Sequence, residues 1–386
     1  MAARAVLPPA LPLQTEISAR LMFSVLIGAR DRKGVPDGKL WLPCMDDSAR
    51  RAAVGPLRVV QFERLPAPGA HSIERLFRRI RALLPGQFEV EVVRCPTPWH
   101  GRAWLMQGLV TAARRRGEVN HILGDVHYVA AALPAKRTIL TVHDLRRLDD
   151  LKGLRKQLYR WVYFSLPLRK CRVVTVISEQ TRARLLHEFP WAEPKIRVIP
   201  DCVPDGFEPR PKPFDAAFPC ILQVGTKLNK NLERVIQALE GQNCLLRIVG
   251  PLNAEQSRLL GRHRIAHRND ADISDDEMVR AYEESDLVVF ASLAEGFGLP
   301  ILEAQALGRP VVTSRFPPMC DVAGEGACLV DPFDVNSIRS GISRVIEDRV
   351  YRERLVAKGF ENCQRYDARP IATAYAALYR EVAQRG

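Results

Sequence analysis

Short runs of branched, apolar residues alternate with helical stretches along most of this chain, and this alternation limits its possible folds more than any other feature. The first series of such runs lies at residues 58–62, 88–93, 119–123, 138–142, 173–177 and 196–199. A second series lies at residues 220–224, 245–249, 287–290 and 310–313. Strands that alternate with helices in this way indicate a parallel, doubly wound sheet. We therefore predict an α/β protein.

A proline-rich segment separates the two series. Its prolines are Pro204, Pro209, Pro211, Pro213 and Pro219. Few core residues accompany them, which is typical of a linker between domains, and 386 residues are enough for two domains. The predicted units are a first domain at 57–203, a linker at 204–219, a second domain at 220–366 and a terminal helical segment at 367–386. Residues 1–56 have no sustained period and are predicted to be an arm without assigned function, either disordered or an extension of the true start.

The net charge of +13 is concentrated in the first half of the chain. Residues 1–205 contain 34 Lys and Arg against 19 Asp and Glu, whereas residues 206–386 contain 23 against 25. A basic surface attracts anionic partners such as lipid head groups or a diphosphate-linked acceptor. Genome composition can explain a preference for Arg over Lys, but it does not explain the difference between the halves. No recognised nucleic-acid-binding motif occurs, so no nucleic acid partner is expected.

Cysteine usage and hydropathy indicate the compartment. The nine cysteines are scattered, and they form neither a CxxC pair nor a Cys/His cluster with zinc spacing. They are predicted to be reduced thiols, and no metal site is expected. No run of about 20 apolar residues could span a bilayer, and residues 21–29 lack the cleavage pattern of a signal peptide. The expected location is the cytoplasm.

The most specific string in the chain covers residues 290–304 and reads FASLAEGFGLPILEA. Glu295 lies in a glycine turn after an apolar strand, and Glu303 lies about one turn into the helix that Pro300 helps to start. A strand, a glycine turn and a helix N-terminus leave unpaired N–H groups and a positive dipole end facing outward. Such a place binds phosphate, and the two carboxylates beside it suit a ligand that also carries hydroxyls.

This string resembles the E-x7-E element of retaining glycosyltransferase family 4, whose members have the two-domain GT-B fold. The resemblance implies two doubly wound domains that face a central cleft, with the segment at 367–386 crossing back onto the first domain. It implies that Glu295 contacts the donor sugar and that Glu303 holds the ribose of the nucleotide. The other donor contacts implied in this turn are Gly296, Phe297, Gly298 and Leu299. A turn residue and a solvated helix residue are the alternative interpretation of the two glutamates.

A second string, LQVGTKLNKNL at residues 222–232, resembles the V-G-T…K-N-L stretch of the same family. The resemblance implies that Lys230 binds the donor phosphate. Family members often carry an arginine where this chain has Thr226 or Asn229, so Lys227 becomes the candidate for a second phosphate contact. The remaining donor contacts implied here are Gly225, Thr226 and Asn231. An exposed loop with solvated lysines is the alternative. Residues 268–273 lie where family members contact the base, but they match no fixed pattern.

The first half carries two polar clusters that follow apolar runs, where they would face the cleft and contact the acceptor. His143 resembles the family histidine near the reacting sugar, which makes it a candidate catalytic residue together with Glu295 and Lys230. Asp144 follows it and could hold its ring. Asp125 and His127 form the second cluster. Alternatively, His143 and Asp144 are strand-end polar residues that hydrogen-bond only to the backbone, and Asp125 is a helix cap.

Two further segments suggest contacts in the first half. Gly69, in the loop after the first predicted strand, would allow a close approach to phosphate, but the loop has no GxGxxG pattern. Residues 152–172 mix aromatic and basic side chains that cannot all share one helix face. Part of this segment must therefore pack on the core, and the rest either packs as well or touches a bilayer.

The resemblance and the charge together imply a function. A retaining transfer of a sugar from a nucleoside diphosphate sugar to an acceptor hydroxyl is expected, without a metal or other cofactor. The expected acceptor is a lipid diphosphate-linked glycan at the inner membrane surface, in a mannosyltransferase-like step of bacterial surface-polysaccharide synthesis. The leaving phosphate would help to remove the acceptor proton, so no general base is assigned. A sugar-nucleotide 2-epimerase of the same fold and a non-catalytic nucleotide-sugar-binding partner of another transferase are the alternatives.

Overall fold

The protein was analysed as a computed structural model, which describes residues 55–65, 72–97 and 103–384. Gly69 and almost all of the predicted arm at 1–56 lie outside the described residues. The strands before the proline-rich segment are β1 (Leu57–Arg64), β2 (Phe88–Cys95), β3 (Val119–Ile122), β4 (Thr138–Val142), β5 (Val173–Val176) and β6 (Ile196–Val198). They form one parallel sheet in the order β2-β1-β3-β4-β5-β6.

The strands after that segment form a second parallel sheet. They are β7 (Cys220–Val224), β8 (Leu245–Val249), β9 (His267–Asp270), β10 (Leu287–Phe290), β11 (Val311–Ser314) and β12 (Cys328–Val330). Their order is β12-β11-β10-β7-β8-β9. The α/β prediction is confirmed, but β9 and β12 were not predicted. β9 is short, polar and exposed at the edge of the sheet, so it has no apolar pattern to reveal it.

Helices cover both faces of each sheet. The helices before the proline-rich segment are α1 (Ser72–Leu83), α2 (Trp104–Arg114), α3 (Arg147–Asp150), α4 (Gly153–Arg160), α5 (Leu166–Lys170) and α6 (Glu179–Glu188). Those after it are α7 (Leu232–Ala238), α8 (Ala254–Arg262), α9 (Asp275–Glu284), α10 (Leu299–Leu307), α11 (Met319–Ala323), α12 (Val335–Glu347), α13 (Arg349–Gln364) and α14 (Ala368–Gln384). Shorter 3₁₀ turns occur at His127–Ala132, Ala135–Arg137, Pro190–Lys195 and Leu228–Lys230. The central strands are therefore buried on both faces, which explains their nearly continuous apolar runs.

We call β1–β6 with α1–α6 the first lobe, and β7–β12 with α7–α13 the second lobe. The last helix, α14, packs on the first lobe although it follows the second in sequence. Its residues Tyr375 and Tyr379 belong to one buried apolar cluster with Phe77 of α1. The Tyr379 hydroxyl also accepts a hydrogen bond from the Gln61 side chain at 2.9 Å and lies 2.8 Å from Nδ1 of His121. A buried polar contact thus fixes the helix to the first sheet.

The aromatic and basic segment at 152–172 is divided between interior and surface. It runs from α4 through a π-helical turn at Trp161–Ser165 into α5. Tyr163 and Phe164 are buried, whereas Leu154 and Trp161 are exposed. Part of the segment packs on the core as expected, and bilayer contact by the exposed part stays a prediction.

The described cysteines are all free, and most of them are buried. Burial raises the pKa of thiols such as Cys171 to about 12, so they stay protonated. None of the helices in the described ranges combines the length and apolarity needed to cross a bilayer.

Candidate functional site

The carboxyl ends of the two sheets meet at the glycine turn of residues 295–298. The backbone oxygen of Gly296 accepts hydrogen bonds from the Ser178 hydroxyl at 2.9 Å and the Thr181 hydroxyl at 3.1 Å. Both hydroxyls belong to the first lobe, where Ser178 follows β5 and caps α6. A Cβ atom at position 296 would lie 2.3 Å from the backbone oxygen of His143. Only glycine permits this approach, so the turn joins the lobes.

The same turn presents Glu295 to Lys230 inside the second lobe. The Lys230 ammonium donates to Oε1 of Glu295 at 2.8 Å, and Asn229 donates to the same oxygen at 3.1 Å. The side chains of Lys230 and Glu295 are only 18% and 9% exposed. The lysine stem crosses Gly225, where a Cβ would lie 2.9 Å from its Cγ, and the ammonium sits 4.6 Å from the centre of the Phe290 ring. Lys230 is therefore a positioned point charge rather than a solvated loop residue.

Glu303 lies one turn into α10 and is buried, with a side chain that is 5% exposed. Its Oε1 accepts from the Arg75 guanidinium of α1 at 2.7 Å, and its Oε2 accepts from the Tyr282 hydroxyl of α9 at 2.6 Å. Burial, together with this carboxylate, raises the pKa of Tyr282 well above its ordinary value, so the hydroxyl stays a donor. Glu303 is thus not a solvated helix residue, and its partners come from both lobes.

The rest of the turn builds the start of α10. Gly298 precedes the helix with φ of 118°, a left-handed conformation that favours glycine. Phe297 is buried and meets the Tyr366 ring edge-on, with the ring centres 5.7 Å apart. Leu299 is the first helical residue and is half-buried. These residues orient the N-terminal N–H groups of α10 beside Glu295.

His143 is a neutral side chain at the end of β4. Burial lowers its pKa to about 4, against smaller opposing effects of Asp125 and Asp144. Its Nε2 atom is buried and has no hydrogen-bond partner in the described part of the chain. Asp144 beside it accepts from the backbone and side chain of Arg146 at 3.0 and 3.2 Å rather than from the histidine ring. His143 therefore offers an unused ring nitrogen near the glycine turn.

The second polar cluster makes its contacts within the first lobe. The exposed Asp125 carboxylate accepts from Arg64 at 3.0 Å. His127 is buried, its Nδ1 lies 2.7 Å from the backbone oxygen of Tyr163, and burial lowers its pKa. These contacts give His127 a structural role, and its predicted contact with an acceptor stays a prediction.

The remaining predicted donor residues differ in their surroundings. Asn231 is buried in a left-handed conformation with φ of 61°, and its amide donates to the backbone oxygens of Ala291 and Pro332 at 2.9 and 2.7 Å. Thr226 donates from its hydroxyl to the Pro251 oxygen at 2.5 Å, whereas Lys227 is exposed. Asn231 and Thr226 hold the loop that carries Lys230, and Lys227 is the residue of this group that is open to an incoming ligand.

A cavity of about 110 Å³ lies between the lobes next to the glycine turn. The first lobe lines it with Asp144, Gln180 and Arg184, and the second lobe with Glu295 and Pro317. A small hydroxylated group placed here would meet polar side chains on both sides. In the described ranges, no group of three His, Cys, Asp or Glu side chains could hold a metal ion.

Sequence reasoning missed several of these residues, namely Arg75, Ser178, Thr181, Arg184 and Tyr282. Ser178 carried a usable signal, because a serine directly after a predicted strand and before a helical stretch marks a helix N-cap at the carboxyl end of the sheet. Arg75 and Tyr282 lie within helices and carried no such signal.

Comparisons with known proteins place the chain in a family. The family model described as "Glycosyltransferase Family 4" matches residues 43–206, and the one described as "Glycosyl transferases group 1" matches residues 207–362. The two matches adjoin and together cover most of the chain.

Similar proteins include several sugar transferases. The chain is 34% identical over 94 residues to "O-antigen chain mannosyltransferase B" of Escherichia coli, which covers 24% of this chain and 25% of that protein. It is 32% identical over 108 residues to "D-inositol 3-phosphate glycosyltransferase" of Corynebacterium efficiens, a match that covers 28% of this chain and 26% of that protein. It is 24% identical over 218 residues to "O-antigen chain mannosyltransferase RfbU" of Salmonella typhimurium, covering 53% and 60%. The match therefore spans about a quarter of the length of the first two relatives.

Solved structures share the architecture. Sucrose-phosphate synthase from Thermosynechococcus elongatus superposes with a TM-score of 0.68 at 18% identity, over 84% of this chain and 99% of that one. Anabaena Alr3699/HepE, solved in complex with UDP and glucose, superposes with a TM-score of 0.66 at 18% identity, over 83% and 99%. With both family models matched and both sheets in place, the chain belongs to glycosyltransferase family 4 and has its two-lobed GT-B fold.

Proposed function

We propose that the protein is a retaining glycosyltransferase that moves a sugar from a nucleoside diphosphate sugar to an acceptor hydroxyl. The observation that carries the proposal is the arrangement of Lys230 and Glu295 at the start of α10, with Glu303 one turn further along. This arrangement combines a fixed cation, a helix N-terminus and two carboxylates. A ligand that carries both a diphosphate and hydroxyl groups would satisfy all of them.

Each group has a role that fits its surroundings. Lys230 and the N–H groups at the start of α10 would stabilise the charge that develops on the departing diphosphate. Glu295 would accept hydrogen bonds from hydroxyls of the donor sugar, and Glu303 would do so from the ribose. His143, neutral and with an Nε2 that has no partner among the described residues, would hydrogen-bond a sugar hydroxyl next to the reacting carbon.

No side chain is proposed as the general base. Glu295 is paired with Lys230, and Glu303 is buried between Arg75 and Tyr282, so neither resembles the pair of flanking carboxylates that glycosidases use. We propose instead that the leaving phosphate oxygen takes the acceptor proton on the same face of the sugar. The reaction is proposed to need no metal ion or other cofactor.

The acceptor proposal uses charge and the names of relatives. The excess of positive charge lies in the first half of the chain, which supplies one wall of the cavity beside Glu295. Two of the relatives are named as O-antigen mannosyltransferases. We therefore propose a lipid diphosphate-linked glycan as acceptor, a mannose-type donor sugar and a cytoplasmic location at the inner membrane surface. Binding to anionic vesicles should then weaken as salt rises, and pelleting that does not respond to salt would contradict this part.

Thermal unfolding with UDP, GDP and ADP, and with their sugar derivatives, tests the donor site. One nucleotide class should stabilise the wild type, by about 2.7 kcal/mol at a hundred times its dissociation constant. Glu303→Gln should lose that stabilisation, while Glu347→Gln, at an exposed position of α12, should keep it. If neither a nucleotide nor a nucleotide sugar stabilises the wild type at millimolar concentration, the proposed donor site and the transferase proposal both fail.

Product analysis separates a transferase from an epimerase. A transferase incubated with donor and acceptor should form a new glycoside whose anomeric configuration, read by NMR, equals that of the donor. Formation of the 2-epimer of the nucleotide sugar in the absence of any acceptor would instead identify an epimerase.

A further inference from the structure

The Arg75–Glu303 ion pair crosses the cleft and is closed off from water. Arg75 comes from α1 of the first lobe and Glu303 from α10 of the second, and their side chains are 9% and 5% exposed. The guanidinium carbon also lies 5.6 Å from the centre of the Phe207 ring. The Nε atom of Arg75 is buried without a hydrogen-bond partner among the described residues. Arg75 therefore has donor capacity that none of the described residues uses.

This pair occupies the carboxylate that the ribose would need. Oε1 of Glu303 is taken by Arg75, and Oε2 is taken by Tyr282. If ribose hydroxyls displace Arg75, a buried guanidinium loses its main anion. Removing one partner of a buried ion pair is strongly unfavourable, because the other charge is left without compensation.

Among the described residues, the second carboxylate near Arg75 is a weak substitute. Asp275 lies 3.8 Å from the guanidinium, its side chain is 40% exposed, and it also faces Arg78 at 3.7 Å. An ion pair this long, with its carboxylate open to water, is screened by solvent and contributes little. An uncharged ligand at Glu303 would therefore leave Arg75 poorly compensated, whereas a ligand that brings its own anion would not.

We propose that Arg75 exchanges partners when the donor binds, leaving Glu303 to the ribose and pairing with the diphosphate. Arg75 is then a specificity-determining residue from the first lobe, because it makes occupation of Glu303 depend on phosphate charge. A guanidinium suits this role, since its fork of N–H groups matches phosphate oxygens, and the Nε that no described residue uses adds a further donor. This inference rests on the proposed nucleoside diphosphate donor.

The test compares dissociation constants, measured by titration calorimetry, for UDP, GDP and ADP and for uridine, guanosine and adenosine. The variants are Arg75→Gln, Arg75→Lys and Arg78→Gln. The last is the matched control, because Arg78 lies on the same helix and faces Asp275 but not Glu303. Thermal unfolding of each variant confirms that it is folded.

The wild type should bind its preferred nucleoside diphosphate far more tightly than the matching nucleoside. Arg75→Gln should reduce this ratio by about tenfold to a hundredfold, the range for hydrogen bonds to charged groups. Nucleoside binding itself should be unchanged or tighter, because Glu303 is released. Arg75→Lys should give an intermediate ratio, and Arg78→Gln should keep the wild-type ratio. If Arg75→Gln does not fold, the test is decided by comparing this ratio between Arg75→Lys and Arg78→Gln.

Two results would overturn the inference and can be told apart from failure of the proposed function. An unchanged ratio in folded Arg75→Gln, or in Arg75→Lys where the glutamine variant does not fold, would show that Arg75 does not meet the diphosphate. If the variant bound the nucleoside and the nucleoside diphosphate more weakly by the same factor, Arg75 would only hold Glu303 in position. A wild type that binds none of the three diphosphates would instead overturn the donor proposal itself, and this inference with it.

Discussion

The two lobes have the same kind of sheet but supply their sides of the cleft in different ways. The second lobe draws its charged groups from two short strings, 222–232 and 290–304, each of which runs from a strand through a turn into a helix. The first lobe draws its groups from the separate elements α1, β4 and α6, which are far apart in sequence. A site built within one turn leaves a readable string of residues, whereas a site assembled from distant elements does not.

The ion pairs of Glu295 and Glu303 show the same difference between the lobes. Glu295 is neutralised by Lys230 of its own lobe, while Glu303 is neutralised by Arg75 of the other. We infer that the second lobe carries most of the donor chemistry, and that the first lobe supplies the contacts that close the cleft together with Arg75 and His143. Substitutions in the two lobes should therefore impair sugar transfer in different ways.

Lys230→Met should have the largest effect on transfer. It removes the cation proposed to stabilise the leaving diphosphate, so the turnover number should fall by about 10²–10³, as when an electrostatic donor is removed from other active sites. Single-turnover kinetics with saturating donor would measure it. Lys358→Met, at a surface lysine of α13 that pairs with Glu361, is the control. A loss in Lys227→Met as large as that in Lys230→Met would show that the phosphate contact is shared.

Gly296→Ala should come next and tests the boundary between the lobes. The added Cβ would lie 2.3 Å from the backbone oxygen of His143, so the turn must move away from the first lobe. We expect turnover to fall by about 10², the cost of a misplacement near 1 Å, with nucleotide binding little changed. Gly261→Ala, where a Cβ meets nothing within 4 Å, is the control. Full activity in Gly296→Ala would mean that closure of this turn is not required.

The double variant Ser178→Ala with Thr181→Val should show a smaller loss of turnover, of about tenfold. It removes two hydrogen bonds to the Gly296 oxygen, each worth about 1 kcal/mol, and it also removes a helix cap. Ser274→Ala, which removes the cap of α9 in the second lobe, should lower stability without slowing transfer. Comparing the double variant with Ser274→Ala in the transfer assay and in thermal unfolding separates the effect of lost contact between the lobes from the effect of a lost helix cap. A double variant that matches Ser274→Ala in both assays would refute a closing role.

Asp201→Asn should leave transfer unchanged and alter only the pH dependence of stability. Burial raises the pKa of Asp201 in the first lobe from 3.8 to about 8, so the folded state keeps a proton that the unfolded state loses. Wild-type stability should fall relative to Asp201→Asn as pH rises from about 4 to about 8, by at most about 1.4 kcal/mol per pH unit. Denaturant unfolding at several pH values would measure this, with Asp205→Asn at an exposed position as the control. A constant difference between wild type and Asp201→Asn would show that Asp201 is ionised in the folded protein.

The sequence predicted the sheets well where strands are buried. Runs such as Leu287–Phe290 are apolar throughout because both faces of the sheet are covered. His267–Asp270 and Cys328–Val330 were missed because they are short edge strands, and the first of them is polar and exposed. Their pairing depends on the neighbouring strand rather than on their own pattern.

The candidate site was predictable mainly in the second lobe, whereas in the first lobe the sequence indicated His143 and Asp144 but not Arg75, Ser178, Thr181 or Arg184. The string around Glu295 contains glycines that the backbone geometry requires, so local sequence reveals it. Arg75 lies 228 residues from Glu303, and its own helix shows only that it is a polar position beside Leu76 and Phe77. Nothing in the pattern of α1 indicates which distant carboxylate it meets, because that contact is set by how the lobes close.

The return of α14 to the first lobe has a consequence for synthesis on the ribosome. Chains emerge from the N-terminus and their domains generally fold as units, so the first sheet is made early. Yet Val59 of β1 and Leu76 of α1 share their apolar cluster with Tyr375 and Tyr379, which are translated some three hundred residues later. Until then this surface of the first lobe lacks its cover, although its strands are complete. We therefore expect the nascent first lobe to expose this apolar surface, and to be prone to aggregation, while the whole second lobe is being made.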